Sequence, residues 1–241
     1  MSDTTISARV HLLRYEAEDI VGIELRPVDA PDFAHPVQAG AHIDLHLPNG
    51  QVRSYSLHNE PGETHRYVVA VLKDRQSRGG SRWVHDQLRI GQVLPIGGPR
   101  NHFPLHEDAG HTVLVAGGIG ITPVLCMALR LKQLGRSFEF IYSARSRRGA
   151  AMVEAVQALG CPVHWHFDDE QGGPPDLRAL LAARPAQADT HYYACGPAVM
   201  LDAFEAECTA FGYANHHIER FAAVEVAAAS DARQSYTVEL R

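Results

Sequence analysis

His111-TVLVAGGIGITPVLCMALRLKQL-Gly135 is the stretch whose reading decides the fold. Thr112 to Ala116 is almost wholly apolar, which suits a strand buried on both faces of a parallel sheet. Gly117, Gly118 and Gly120 follow at once, allowing a sharp turn and leaving no side chain between the backbone N–H groups and an approaching anion. Pro123 then suits a first helical turn, the apolar positions Leu125, Ala128, Leu129 and Leu131 carry the helix on, and Gly135 is a natural end for it. Strand, glycine turn and helix N-terminus together make an anion site, because free N–H groups and the helix dipole both favour negative charge. A dinucleotide pyrophosphate fits such a site, and so does a packing turn that binds nothing. The spacing is not the usual G-x-G-x-x-G, so other motifs must decide.

The 241 residues are enough for two domains of ordinary size. A hydrophobic share of 45% and a charged share of 21% are those of an ordinary globular enzyme, and a net charge of −6 argues against a nucleic-acid partner. No apolar run is long enough to span a membrane, and the polar start is unlike a signal peptide, so a cytoplasmic protein is expected. Cys126, Cys161, Cys195 and Cys208 lack zinc or iron–sulfur spacing and are expected as free thiols. The 15 histidines are scattered, and even the close pair His164 and His166 has no carboxylate or thiol at ligand spacing, so no metal is expected.

Up to about Leu105 the chain reads as short strands. ARVHLLRYEAE and IVGIELRPV form a hairpin, and AHIDLHLPNG turns at Asn49-Gly50 into QVRSYSLHN. HRYVVAVLKD and IGQVLPIGGPRNHFPL complete a closed antiparallel barrel that carries one short helix, SRWVHDQL. From His111 strands alternate with helical segments: HTVLVAG, SFEFIYSA, PVHWHFDD and THYYACG alternate with ITPVLCMALRLKQLG, GAAMVEAVQALG, DLRALLAAR and PAVMLDAFEAECTAFG, before a closing HHIERFA. That alternation means a parallel sheet with right-handed crossovers. The expected division is a barrel domain over 1–106, an α/β domain over 107–225 and a tail over 226–241.

Two further motifs sit in the barrel half. On the strand RSYSL, Arg53 and Tyr55 share one face and Ser54 and Ser56 the other, so a guanidinium and an aromatic ring lie side by side. That pair suits a planar ring system carrying a phosphate. In RGGSRWVHDQL, Gly79 and Gly80 precede Ser81, which reads as the N-cap of a helix to about Leu88 and gives a second phosphate-sized site.

The order RSYSL, GGS, PRNHFPL, GGIGITP, CGP and ERF resembles the flavin reductases of the ferredoxin–NADP reductase superfamily, in the branch of phthalate dioxygenase reductase and vanillate demethylase reductase. The resemblance runs from about Ser7 to Ala222. It implies an N-terminal Greek-key flavin-binding β-barrel followed by a Rossmann-like nucleotide-binding domain. The implied flavin set is Arg53, Ser54, Tyr55, Ser56, Leu57, Lys73, Gly79, Gly80, Ser81 and Phe221, with Arg53, Gly80 and Ser81 on the phosphate, Tyr55 against the ring and Ser56 near its reactive N5. RGGS and PRNHFPL resemble the FMN-using relatives, so FMN is expected rather than FAD. The implied nicotinamide-cofactor set is Gly117, Gly118, Gly120, Thr122, Ser143, Arg145, Cys195, Gly196 and Pro197. Ser56, Cys195 and Glu219 are the implied catalytic residues.

The resemblance further implies electron transfer from NAD(P)H through FMN to a [2Fe-2S] centre, in the reductase component of a monomeric kind that serves a Rieske-type aromatic oxygenase or O-demethylase. Relatives continue into a ferredoxin domain with C-x4-C-x2-C spacing. That spacing is not in this sequence, so the cluster is expected on a missing domain or a separate partner. Rival readings are a stand-alone diaphorase, a ferric or flavin reductase, and a non-catalytic redox sensor. The strand SFEFIYSAR ends without the acid that meets the ribose of NAD, and Ser143, Arg145, Arg147 and Arg148 could meet a 2′-phosphate. The branch mostly uses NADH, which is the expectation, with NADPH possible.

Overall fold

A computed structural model describes residues 5–75, 77–184 and 189–221. The first half is a curled antiparallel sheet of β1 (Thr5–Ala17), β2 (Ile20–Pro27), β3 (Ala41–His46), β4 (Val52–Ser56), β5 (Tyr67–Leu72) and β6 (Val93–Asn101), in the order β4-β3-β6-β1-β2-β5. Among the described residues the isolated bridge Leu57↔Val69 joins its outer strands, so the expected barrel closes without a full ladder there. Alternation explains the packing: Ile23 and Leu25 of β2, Ile43 and Leu45 of β3, and Val69 and Val71 of β5 are wholly buried. The turn between β3 and β4 falls at Asn49-Gly50, where Gly50 has φ 78°.

Helix α1 (Gly80–Gln87) follows β5, with Val84 in the core. The cap is not Ser81 as expected but Gly79, in the left-handed region at φ 107°. Glycine alone enters that region at no steric cost, so backbone geometry rather than a side-chain oxygen starts the helix. Ser81 sits one residue inside, where its hydroxyl accepts from the Asp74 N–H at 3.2 Å.

The second half is an all-parallel sheet of β7 (His111–Gly117), β8 (Phe138–Ala144), β9 (Val163–Phe167), β10 (Thr190–Cys195) and β11 (His216–Glu219), in the order β11-β10-β7-β8-β9. Helix α2 (Ile121–Gln133) returns across β7, burying Val124, Leu125, Ala128 and Leu131. Three expectations shift here. The helix expected over GAAMVEAVQALG shrinks to α3 (Val153–Gln157), because Met152 takes φ 60° and interrupts it. The strand expected through PVHWHFDD ends at Phe167 and turns into the short helix α4 (Asp168–Gln171). The expected DLRALLAAR helix is α5 (Leu177–Ala182), entered through an Asp176 side chain that accepts from Ala179 N–H. Helix α6 (Ala198–Phe211) begins directly after Cys195-Gly196-Pro197.

The chain leaves β7 for β8 on one side and enters β10 on the other, so the crevice between β7 and β10 is the sheet's switch point. One apolar core runs from Ala8 of β1 to Cys195 of β10 and joins the two halves. Across that join the Cys126 thiol donates to Asn59 O at 3.4 Å and Glu18 N–H donates to Arg148 O at 2.8 Å. No helix among the described residues is long and apolar enough to cross a membrane. The tail over 226–241, read from sequence as a strand-like extension, lies outside the described residues.

Candidate functional site

The first anion site is assembled from β4 and α1. A Cβ placed on Gly80 would stand 2.9 Å from Cγ and 3.0 Å from Nε of Arg53, so the guanidinium stem lies directly against the start of the helix. Asn49, at the β3–β4 turn, donates to Gly79 O at 3.1 Å and fixes that turn beneath the helix. The N-cap glycine offers no side chain to α1, Ser77 Oγ accepts from the Arg82 N–H only at 3.4 Å, and no acidic residue occupies the first turn, so the helix's positive end stands beside Arg53. The Arg53 guanidinium donates to Val52 O at 2.7 Å and to Gln51 Oε1 at 2.5 Å, which orients it. Tyr55 is half-buried on the same strand face, and burial pushes its hydroxyl up to about 12.

Other members of the expected flavin set serve the scaffold. The Ser54 hydroxyl donates to Asp44 Oδ1 at 2.6 Å, and Arg100 holds the other oxygen at 2.5 Å. Leu57 is fully buried and its N–H donates to Ala41 O. Lys73 pairs with Asp86 of α1 at 2.8 Å. Phe221 is 48% exposed, a large apolar ring left open at the end of β11.

The second anion site lies at the switch point. Gly118 has φ 53°, in a 3₁₀ turn that links β7 to α2. The GGIG and CGP loops pack backbone on backbone. A Cβ on Gly120 would stand 2.1 Å from Cys195 O and 2.7 Å from Gly196 N, and one on Gly196 would stand 3.0 Å from Gly117 Cα. Two motifs far apart in sequence thus share one crevice, which only glycines permit. Thr122 and Ser143 face inward: Thr122 donates to Ile119 O at 3.2 Å and Ser143 to Ala116 O at 3.3 Å, so they shape the turn. Arg147 makes two bonds to Glu170, at 2.6 and 3.1 Å, and lies over the Phe167 ring. Arg148 reaches Glu18 at 4.0 Å. Arg145 is exposed and has no carboxylate partner among the described residues.

Between the two anion sites lie the three expected catalytic groups. Cys195 and Glu219 end adjacent parallel strands as register partners. From the barrel, Ser56 donates to Glu219 Oε2 at 3.3 Å. Burial raises the Glu219 carboxyl to about 7, and the Ser56 hydrogen bond only partly offsets it. Burial first, then the Glu219 charge, raises the Cys195 thiol well above its ordinary value, so this is a neutral packed thiol and not a nucleophile. All four cysteines are free.

His164 and His166, singled out in the sequence, do not share a site: His166 bonds Gly173 O at 2.8 Å and His164 is exposed. The histidines that do converge are His106, His191 and His217. Sequence spacing gives no sign of them, because topology alone joins a loop residue to two strands.

No family model matches the chain. Phenoxybenzoate dioxygenase subunit beta of Ectopseudomonas oleovorans is 48% identical over 92% of this chain and 69% of its own length. Vanillate O-demethylase oxidoreductase of Pseudomonas putida is 45% identical over 93% of this chain and 70% of its own length. Among solved structures, phthalate dioxygenase reductase, described as a modular structure for electron transfer from pyridine nucleotides to [2Fe-2S], superposes with a TM-score of 0.85 at 33% identity, over 94% of this chain and 71% of that one. The order of strands, the paired glycine loops and these relatives agree: the chain belongs, as an oxidoreductase, to the flavin reductases of the ferredoxin–NADP reductase superfamily, in the branch of phthalate dioxygenase reductase and vanillate demethylase reductase.

Proposed function

We propose that the chain carries electrons from NADH through FMN to a [2Fe-2S] centre on a ferredoxin domain or partner protein, as the reductase component of a Rieske-type aromatic oxygenase or O-demethylase. The observation that carries this reading is the meeting of Ser56, Cys195 and Glu219 between two separate anion sites. One site suits the phosphate of a flavin mononucleotide and the other the pyrophosphate of a nicotinamide dinucleotide. Each reacting ring would then extend from its own phosphate toward the same three side chains. A division at 106/107 would put one cofactor on each side of the join.

Flavin, when bound, supplies the conversion of a two-electron hydride into single-electron steps. The chain supplies position and electrostatics. Arg53 and the N-terminus of α1 would hold one phosphate, with Tyr55 and the open Phe221 ring as apolar faces beside the ring system. Gly117, Gly118, Gly120 and Gly196 let backbone N–H groups approach the dinucleotide. Cys195, small and neutral, allows close approach of the nicotinamide without introducing charge. Glu219, raised to about 7, can hold a proton on its carboxyl near neutral pH while Oε2 accepts from Ser56. Of the arginines after β8, Arg147 is committed to Glu170, which removes one of the three from a 2′-phosphate and supports NADH, while Arg145 and Arg148, the latter 4.0 Å from Glu18, stay exposed.

Acid extraction of the purified protein followed by chromatography tests the flavin assignment. One FMN per chain is expected, and stoichiometric FAD would overturn it.

A further inference from the structure

We propose that His106, His191 and His217 form a binding site for a divalent ion of the zinc, copper and nickel group, clamping the segment between the two sheets onto strands β10 and β11. The three imidazoles place one nitrogen each within 4.8 Å of the others. Their ring centroids form a nearly equilateral triangle with sides of 4.7, 5.1 and 5.2 Å. A metal–nitrogen bond of about 2.0–2.1 Å, with tetrahedral angles, puts the centroids of three imidazole ligands about 5.2 Å apart and their nitrogens about 3.3 Å apart. His191 Nδ1 and His217 Nε2, which share a hydrogen bond in the absence of an ion, are separated by 3.1 Å. The triangle of centroids therefore has the dimensions of a ligated one.

The sequence explains why the rings face one another. His191 and Tyr193 alternate onto one face of β10, and His217 is the register partner of Tyr193 on β11. The Tyr193 ring stacks on His217 at 4.5 Å and lies nearly parallel to His191 at 6.4 Å. Tyr193 also sets the loop, since its hydroxyl accepts from the His106 N–H at 2.9 Å. One tyrosine thus fixes all three histidines. Asp189 adds negative charge beside His191 and borders the same open hollow as His106 and His191. Three imidazoles with an open fourth position for water favour the zinc, copper and nickel group over magnesium or calcium, which prefer oxygen ligands.

The test uses the flavin-loaded full chain, stripped with EDTA and dialysed against Zn2+. Expected are one Zn2+ per chain and a rise in Tm of about 5–10 °C with free metal a hundredfold above Kd. Affinity should fall by at least about tenfold in His106→Gln, His191→Ala and His217→Ala, since even a group that only supports a ligand is worth that much. His11→Ala, an exposed ring on β1, should bind as the unaltered chain does. Cu2+ bound in place of zinc should show nitrogen hyperfine structure that His217→Ala loses. His106→Gln changes an exposed loop ring, so its fold survives even where a strand variant's does not. Fewer than one Zn2+ per chain, or affinity in His106→Gln equal to that of the unaltered chain, overturns the proposal.

Discussion

Replacing Gly120 by alanine adds one methyl group at the point where the two nucleotide loops touch. Its Cβ would stand 2.1 Å from Cys195 O, 2.3 Å from Cys195 C and 2.7 Å from Gly196 N. All three are backbone atoms, so no side chain can swing aside; the CGP loop must retreat by about 1 Å to restore ordinary contact. Overpacking of this kind costs about 1–3 kcal/mol, which in a chain of this size lowers Tm by about 2–12 °C. The larger effect falls on chemistry, because Cys195 and its register partner Glu219 sit on the displaced edge. A misplacement of about 1 Å at a reacting centre can cost about 100-fold in rate. Stopped-flow reduction by NADH would read kcat/KM, with bound flavin measured in the same sample because the flavin phosphate loop is untouched. Gly98→Ala, where an added Cβ meets nothing within 4 Å, is the matched control. If Gly120→Ala kept flavin, folded normally and reacted within about twofold of the unaltered chain, the backbone-on-backbone account of the nucleotide crevice would be wrong.

Arg53→Ala should weaken flavin retention by about 1.5–3 kcal/mol, the worth of a hydrogen bond to a charged group, measured by flavin release on dilution; unchanged retention removes Arg53 from the phosphate site. Glu219→Gln tests the raised carboxyl. The folded chain holds that proton up to about 7 against an ordinary value of 4.5, so stability falls as pH rises between the two and stays lower above them. With the side chain partly exposed, the glutamine variant should gain about 1–3 kcal/mol over the unaltered chain at pH 8 and nothing at pH 4, by urea midpoints; an equal difference at both pH values would contradict the shift. Arg145→Ala should leave kcat/KM for NADH within about twofold, since that exposed side chain has no 2′-phosphate to meet. A higher kcat/KM for NADPH, lost selectively in this variant, would reverse the cofactor preference.

The architecture was legible because both halves announce themselves locally: alternation with Asn49-Gly50 for the antiparallel sheet, and apolar runs followed by glycine turns for the parallel one. The N-cap of α1 was misread because a serine in the right place is a good cap, whereas glycine at positive φ leaves no side-chain signature of its role. Helix α3 was overextended because periodicity carries no sign of the φ 60° at Met152. The roles of Ser54 and Lys73 turned on partners brought in by folding, Asp44 on the neighbouring strand and Asp86 on α1. Equally, Glu170 pairs with Arg147, which looked free in the chain. The bond between Ser56 and Glu219 joins the antiparallel half to the last parallel strand, and only the resemblance, not any local pattern, grouped those residues.

The central claim is that two electrons enter from NADH and leave singly toward an iron–sulfur centre through a flavin held beside Ser56, Cys195 and Glu219. Anaerobic stopped-flow mixing of the purified protein with NADH, followed by a second mix with an oxidised [2Fe-2S] ferredoxin, tests it most directly. The account predicts rapid loss of the oxidised flavin absorbance in the first mix and reduction of two ferredoxins per NADH in the second. Flavin that stays oxidised in the presence of NADH, or that is reduced yet never passes electrons to the ferredoxin, would contradict it.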